Sequence, residues 1–290
     1  MTGTGDAGWR LRDSVLSLGR PLVMGILNAT PDSFSDGGRF RSAGPALARA
    51  RRMVDEGADL VDVGGESTRP GASQVSVAEE VDRVVPLVRL LKASISVPVS
   101  VDTRRAEVAR LALEAGADAV NDVSALSDPE MAAVVASHGC GLVLMHMRGT
   151  PATMQSMAVY GDVAGEVAEE LSERLGRALD AGIEADRIAL DPGIGFAKTA
   201  EQNLELIARL DVLVRLGHPV LVGASRKAFI GRLLGGIAAD ERDAGTVGAC
   251  VVGLARGARI FRVHEVRAAR HALDVADAVL RIPAAIGVAT

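Results

Sequence analysis

Polar side chains end the short apolar runs that recur along this sequence. Asn28 ends the first run, Asp102 ends the third and Asp191 ends the sixth. The seventh and eighth runs lead into hydroxyl and basic side chains, at 225–227 and 262–264. Burying a carboxylate or an amide costs several kcal/mol unless a partner satisfies it. Several such run ends in one place therefore predict a site for a polar ligand.

The chemistry of these run ends divides into two groups. The complete set is Asn28, Asp62, Asp102, Asn121 with Asp122, His146, Asp191, Ser225 and Arg262 with His264. Asp102, Asn121 and Asp191 suit a flat heterocycle with adjacent N–H groups, such as the edge of a pterin or a purine. Donors and positive charge suited to phosphate come from a second group, Ser225, Arg226, Lys227, Arg262 and His264. The pattern predicts a heterocycle joined to phosphate, with carboxylates and amides on one side of a shared cavity and cationic groups on the opposite side.

Each of these residues, taken singly, has a simpler interpretation. An Asp at a strand end is more often a helix cap or loop ligand than a catalytic group. Lys227 alone would be a solvated helix residue, and His264 alone would be a structural histidine. The site hypothesis depends on the joint location of these side chains.

Two loops of unusual composition strengthen this hypothesis. ATPDSFSDGGRF (29–40) follows the first run, and GGESTRPGASQ (64–74) follows the second. Both are rich in Gly, Pro, Ser and charge, which is typical of loops that close over a substrate. We expect them to act as lids, with contributions from Asp32, Phe34, Asp36 and Pro70.

The elements that must position these residues alternate along the chain. The predicted strands are 23–28, 60–65, 97–102, 119–123, 142–146, 188–192, 219–223 and 260–264. The predicted helices are 45–56, 77–92, 105–115, 129–138, 162–181, 201–216 and 265–281, with a helix pair at 227–234 and 243–256. Eight near-equal units predict an α/β fold, a (β/α)8 TIM barrel in a single domain at 21–285, after an N-terminal extension at 1–20. An open doubly wound sheet is the alternative, disfavoured because no topological switch is evident.

Composition excludes several other classes. The 290 residues carry a formal charge of -5, so no global positive field attracts nucleic acid or an anionic membrane. Cys140 and Cys250 match no disulfide framework or zinc spacing. The tract DPGIGFAKT (191–199) lacks the spacing of a phosphate-binding P-loop. Without a signal-like or membrane-spanning segment, we expect a cytoplasmic protein.

Eight motifs resemble those of the dihydropteroate synthase family and occur in the family's order over roughly 22–281. They are MGILNATPDSFSDGG, VDVGGESTRPGA, VSVDT, VNDVS, LMHMRGTPATMQ, LDPGIGFAKT, VGASRK and RVHEV. One departure is Ala29, where the family usually has Val. The resemblance implies a TIM barrel, usually a homodimer, that condenses 6-hydroxymethyl-7,8-dihydropterin diphosphate with 4-aminobenzoate. The products are 7,8-dihydropteroate, used in folate synthesis, and diphosphate.

The resemblance also implies residue roles. The pterin would be held by Asp102, Asn121, Asp191 and Lys227. The phosphate end would be held by Thr68, Arg262 and His264, and Asn28 would contact Mg²⁺ and diphosphate. The 4-aminobenzoate pocket would involve Arg69, Phe196 and Ser225, and substrate binding would also include Met145 and Gly223. The catalytic set implied is Asp102, Lys227, Arg262 and His264. Sulfonamides would inhibit by mimicking 4-aminobenzoate.

Two other functions stay open from the sequence. A pterin-binding methyltransferase that serves a corrinoid protein resembles this barrel, but it would need no diphosphate site. A catalytically silent relative with a binding or assembly role is the second alternative. The intact loops and the cluster of basic residues favour the synthase over both.

Overall fold

The eight apolar runs of the sequence form eight parallel strands. They are rich in Val, Leu, Ile and Ala, as strands covered by helices usually are. The computed structural model describes residues 8–29, 44–66 and 75–282. Its strands are β1 (Gly8–Arg10), β2 (Val15–Ser17), β3 (Leu22–Asn28), β4 (Leu60–Gly64), β5 (Val99–Asp102), β6 (Ala119–Asp122), β7 (Gly141–Met145), β8 (Ile188–Asp191), β9 (Leu221–Val222) and β10 (Ile260–Val263).

The parallel strands close into a barrel. Their order is β8-β7-β6-β5-β4-β3-β10-β9. A parallel bridge between Leu190 and Val220 connects the two ends of this series. This arrangement confirms the predicted (β/α)8 TIM barrel and rules out the open sheet. In a closed barrel the carboxyl ends of all the parallel strands surround one mouth.

Amphipathic segments form the helices around these strands. The helices are α1 (Gly44–Asp55), α2 (Val77–Lys92), α3 (Ala106–Glu114), α4 (Met131–His138), α5 (Val163–Asp180), α6 (Ala200–Ala208), α7 (Asp211–Val214), α8 (Ala228–Leu233), α9 (Asp243–Ala255) and α10 (Val266–Leu280). Helices α8 and α9 match the predicted pair after the seventh barrel strand. Among the described residues, no helix is both long and apolar enough to cross a membrane.

The predicted helix at 201–216 is two helices in the structure. A capping box between Thr199 and Gln202 starts α6. Arg209 ends it, with φ −116° and ψ 26°, outside helical geometry. The Arg209 guanidinium is paired with Asp162 and Glu205. The amphipathic pattern continues across this break because Leu206 and Leu213 are both buried, which is why the sequence predicts one helix.

A hairpin of β1 and β2 covers the amino-terminal end of the barrel. Trp9 and Leu11 are fully buried against inward-facing residues of the strands. The Trp9 indole N–H donates to the carbonyl oxygen of Arg187 at 2.8 Å. Part of the segment that the sequence predicts as an extension therefore completes the barrel's core.

The interior of the barrel changes character along its axis. The lower layer is apolar and contains, besides Trp9 and Leu11, the side chains of Leu22, Met24, Leu60, Ala119, Val143, Ala189, Leu221 and Ile260. Towards the mouth, the register aligns Asn28 with Gly64, Gly64 with Asp102, and Asp102 with Asn121. Polar side chains from neighbouring strands therefore meet at one level.

Candidate active site at the carboxyl ends of the strands

A cavity at the barrel mouth brings together most of the described residues predicted to bind substrate. It is lined by Asp102, Asn121, Val123, Met145, Asp191, Ile194, Phe196, Gly223, Lys227 and Arg262. These residues come from strand ends and from the loops that follow them. Acceptors, donors and apolar side chains thus face the same space.

Asp191 is fixed by the tight turn that follows β8. Its Oδ1 accepts a hydrogen bond of 2.7 Å from the backbone N–H of Gly193. Gly193 has φ +69°, and a Cβ at this position would lie 1.9 Å from the His146 carbonyl oxygen. Only glycine therefore fits here without a backbone shift. The turn holds one carboxylate oxygen and leaves Oδ2 on the side of Gly223.

Apolar side chains form one wall of the cavity. Met145, Val123 and Phe196 pack together in a small buried cluster. The Lys227 ammonium lies 3.9 Å from the centroid of the Phe196 ring, at cation–π distance. A flat ring in this cavity would meet hydrophobic surface together with a positive charge at its edge.

Opposite charges meet directly at the base of the cavity. Arg262 Nε donates to Asp62 Oδ2 at 2.7 Å, and Arg262 Nη2 donates to Asp102 Oδ2 at 2.6 Å. The sequence predicts carboxylates on one side of the cavity and cations on the opposite side. For Arg262 that prediction is wrong, because β10 places its side chain inside the barrel, within reach of both carboxylates.

Burial raises the pKa values of two carboxyl groups that line the cavity. It raises the pKa of Asp191 to about 6, although the Gly193 N–H and the charge of Lys227 act in the opposite direction. Burial also raises the pKa of Asp102, against the attraction of Arg262. Burial alone would lower the pKa of Arg262, but the charges of Asp62 and Asp102 outweigh it and raise that pKa. Clustered acids with raised pKa values inside a cleft are typical of functional sites.

Comparisons with known proteins identify the family. Residues 24–264 match the family model described as pterin binding enzyme. A dihydropteroate synthase from Synechocystis sp. is 51% identical over 263 residues, covering 90% of this chain and 91% of that protein. A Xanthomonas albilineans dihydropteroate synthase structure with 4-aminobenzoic acid has a TM-score of 0.88 and 46% identity, covering 96% of this chain and 100% of that one. A structure from the same organism in complex with 7,8-dihydropteroate has a TM-score of 0.85 and 43% identity, covering 95% and 100%.

This chain belongs to the dihydropteroate synthase family. The activity predicted from the motifs is thereby confirmed, namely condensation of 6-hydroxymethyl-7,8-dihydropterin diphosphate with 4-aminobenzoate to give 7,8-dihydropteroate and diphosphate. The corrinoid methyltransferase alternative receives no support from these relatives.

The residues predicted to bind phosphate differ in whether their side chains lie beside the cavity. Ser225 Oγ lies 2.8 Å from His264 Nδ1 and also accepts from the His264 backbone N–H. Arg226, predicted among the phosphate donors, is held by ion pairs with Asp243 and Glu265. Its φ of 57° turns the backbone between Ser225 and the start of α8. Ser225 and His264 therefore form a pair beside the cavity, and Arg226 serves the loop.

Asn28 is the one residue that the family resemblance assigns to Mg²⁺. It lies exposed at the end of β3, at the mouth. Within 8–29, 44–66 and 75–282, no cluster of three or more His, Cys, Asp or Glu residues could hold a metal ion. The exposed amide oxygen of Asn28 is compatible with Mg²⁺, a hard cation that takes oxygen ligands, keeps several waters and binds through substrate phosphates.

Two predicted strand-end residues have structural roles. Asp122 accepts hydrogen bonds from the backbone N–H groups of Ser124 and Leu126 and so shapes the loop after β6. His146 is buried behind the turn at Gly193, where its Nδ1 lies 3.1 Å from Lys198 Nζ. Six other predicted site residues lie outside the described residues: Asp32, Phe34, Asp36, Thr68, Arg69 and Pro70.

A buried lysine supports the same turn from behind. Lys198 Nζ donates to the carbonyl oxygens of Gly193 and Phe196, at 3.2 and 3.0 Å. His146 Nδ1 then accepts from Lys198, and Nε2 donates to Glu170 at 3.0 Å. Burial lowers the pKa of Lys198 to about 7. The hydrogen bond from His146 lowers the pKa of Glu170 to about 2.

Sequence reasoning missed several residues that shape the site. Val123 and Ile194 line the cavity, but an apolar residue beside a strand end gives no functional signal. Lys198 is one of only three lysines in the chain, with Lys92 and Lys227. That scarcity was the available signal for Lys198.

Proposed function

We propose that the residues around the mouth cavity perform the family's condensation in this protein. The observation that carries this proposal is the convergence of Asp102, Asn121, Asp191, Lys227 and Arg262 on one cavity. They supply acceptors for ring N–H groups and donors for oxygens within the same few ångströms. A site without this convergence would have no means of binding both parts of a pterin diphosphate.

The pterin ring would bind against the apolar wall. The carboxylate of Asp191 would accept hydrogen bonds from an amino group and an adjacent ring N–H. The hydrogen bond from Gly193 fixes the orientation of this carboxylate. Lys227 would donate to a ring oxygen from its position over Phe196. Asn121 would complete the edge with its amide.

The diphosphate would lie towards Arg262, His264 and Asn28. Mg²⁺ bound there with Asn28 would supply charge neutralisation and orientation of the phosphate oxygens. Arg262 and His264 would donate hydrogen bonds to the leaving group. Each preorganised donor of this kind contributes on the order of 3 kcal/mol to a charge-developing transition state.

The reaction needs no strong base. The bond between the pterin methylene carbon and the diphosphate oxygen breaks, and its electron pair leaves with diphosphate. The nitrogen of 4-aminobenzoate forms the new bond to that carbon and then loses a proton to water. With both carboxylates ionised, Asp62, Asp102 and Arg262 together carry one net negative charge, which would stabilise positive charge on the methylene carbon. Phe196 and Ser225, with Arg69 outside the described residues, would hold 4-aminobenzoate.

Diphosphate release by the purified protein tests this proposal. We expect release with 6-hydroxymethyl-7,8-dihydropterin diphosphate, 4-aminobenzoate and Mg²⁺, and its loss in Asp191→Asn. The matched control is Asp118→Asn, another buried carboxylate, which is bound to Lys92 away from the cavity. Methyl transfer from methyltetrahydrofolate without condensation would overturn the proposal. Competition by a sulfonamide against 4-aminobenzoate would test the second substrate's pocket.

A homodimer is proposed from exposed apolar side chains near the chain's carboxyl-terminal helices. Val275 and Val279 are 66% and 61% exposed and lie one turn apart on α10, and Val252 on the neighbouring α9 is 45% exposed. Exposed apolar side chains on two neighbouring helices suit a protein interface. Sedimentation should show a dimer for the wild type and a monomer for Val279→Glu. Val15→Glu, with 61% exposure on β2, is the matched control and should remain dimeric.

A cytoplasmic location is also proposed. It rests on the lack of a spanning helix in the described ranges and on the chemistry of Cys140 and Cys250, both buried and unpaired. Fractionation of cells that express the protein would test it, and recovery in the membrane fraction would contradict it.

A further inference from the structure

Asp62 lies at the centre of the polar layer beneath the cavity. It is completely buried on β4 and does not itself line the cavity. Ser100 Oγ donates to its Oδ1 at 2.6 Å. Its Oδ2 accepts from Asn121 Nδ2 at 3.1 Å and from Arg262 Nε at 2.7 Å. One carboxylate therefore contacts two of the side chains that face the ligand.

The contact with Asp62 fixes which way the amide of Asn121 points. An ionised carboxylate can only accept hydrogen bonds, so it must face the amide's NH₂ group rather than its oxygen. The amide oxygen of Asn121 is then directed away from Asp62. This oxygen is buried, and it has no hydrogen-bond partner among the described residues. A buried acceptor without a partner, in a residue that lines a cavity, indicates a ligand that donates there.

We propose that Asp62 is a positioning residue that sets the hydrogen-bonding specificity of the pterin site. It holds Asn121 so that the cavity presents a fixed acceptor, and it holds Arg262 beside Asp102. The cavity consequently selects a ring whose edge presents an N–H to Asn121. This inference deepens the proposed function and rests on the cavity being the pterin site.

The fixed acceptor would lower the affinity for rings that lack an N–H facing Asn121. If the amide of Asn121 were able to rotate, it would pair equally well with a ring nitrogen that accepts. With the amide held, a ring without the N–H leaves the Asn121 oxygen unpaired, and such unpaired buried groups give strong discrimination. Asp62→Asn removes the constraint, because an amide at position 62 can face either end of Asn121.

Binding of 6-hydroxymethyl-7,8-dihydropterin tests the proposal, because this probe lacks the diphosphate that Arg262 would contact. By calorimetry we expect Asp62→Asn to weaken its affinity about tenfold or more. Asp118→Asn is the control, since it neutralises another buried carboxylate of the barrel, and its affinity should equal that of the wild type. The melting temperature of each variant reports its folding separately.

A double-mutant cycle separates positioning from a general structural effect. In an Asn121→Ala background, Asp62→Asn should change the affinity less than about twofold. The amide through which Asp62 acts on the ligand is absent from this background. If Asp62→Asn fails to fold, Ser100→Ala replaces it in the cycle, with a smaller expected loss of roughly threefold and the same dependence on Asn121.

Wild-type affinity in Asp62→Asn, or effects of Asp62 and Asn121 that simply add, would overturn the proposal. These outcomes are distinct from failure of the proposed function, which would appear as no diphosphate release by the wild type. Wild-type turnover combined with additive effects would remove only Asp62 from its assigned role.

Discussion

The two ends of the barrel interior bury very different chemistry in the same scaffold. At the amino-terminal end, Trp9 and Leu11 pack on an apolar layer, and the buried Asp118 has its own lysine, Lys92. At the mouth, two carboxylates share Arg262, and the oxygen of Asn121 has no hydrogen-bond partner within residues 8–29, 44–66 and 75–282. The lower end therefore pairs its buried charge within the protein, whereas the mouth keeps a buried acceptor that the described residues leave unpaired.

Removal of Arg262 should produce the largest effect. Arg262→Met leaves Asp62 and Asp102 buried without their cation, which should lower the free energy of unfolding by about 3 to 5 kcal/mol. It should also reduce turnover by about 100-fold or more, because a donor to the leaving group is lost. Denaturant unfolding and diphosphate release measure the two effects. A variant that loses stability but retains turnover would show that Arg262 does not assist departure of the leaving group.

At the opposite end, truncation of Trp9 should affect stability alone. Trp9→Ala removes a fully buried ring and its hydrogen bond to Arg187, at an expected cost of about 3 to 5 kcal/mol. The affinity for 6-hydroxymethyl-7,8-dihydropterin in the folded variant should be unchanged. Val15→Ala on the same hairpin is the control, and being exposed it should change stability by less than about 0.5 kcal/mol. Weaker ligand binding in Trp9→Ala would show that the two ends are coupled.

The buried Lys198 behind the site should make stability depend on pH. Its pKa is lowered from 10.5 to about 7, so between these values the unfolded chain binds a proton that the folded chain does not. Lys198 should therefore contribute a rise in stability with pH across this window, on the order of 2 to 4 kcal/mol. In Lys198→Met this rise should be absent, as measured by urea unfolding at a series of pH values. Equal slopes in the variant and the wild type would contradict the prediction.

The smallest effect is expected from the ion pair at the lower end. Lys92→Met leaves Asp118 with its hydrogen bond from the Val99 backbone N–H. Because the Lys92 side chain is about one-third exposed, we expect a loss of only about 1 to 2 kcal/mol and no change in turnover. Thermal unfolding and the diphosphate assay check both statements. A loss as large as that in Arg262→Met would mean that the two ends do not differ in how they hold charge.

The architecture could be predicted from the sequence because its signals are local and repeated. Each apolar run that ends in a polar residue predicts a strand, and eight of them predict the barrel. The break between α6 and α7 could not be predicted, because Leu206 and Leu213 keep a helical spacing across it. The burial of Trp9 was also hidden, since its partner Arg187 is distant in sequence.

The sequence predicts which residues form the site, but it does not predict which of them form ion pairs with each other. Strand-end polarity identifies Asp102, Asn121 and Asp191, because parallel strands bring their carboxyl ends together. It does not show that Arg262 reaches across the barrel to Asp62 and Asp102, since such contacts depend on side-chain direction in three dimensions.

The contact between Trp9 and Arg187 has a consequence for synthesis of the chain. The two residues are separated by 178 positions. At about 5 to 20 residues per second, the ribosome delivers Arg187 roughly 10 to 35 seconds after Trp9. For most of that interval the first hairpin has left the ribosomal tunnel, but the strands on which it packs are incomplete. Trp9 and Leu11 are then apolar side chains that a nascent-chain chaperone can bind until the strands that cover them have been made.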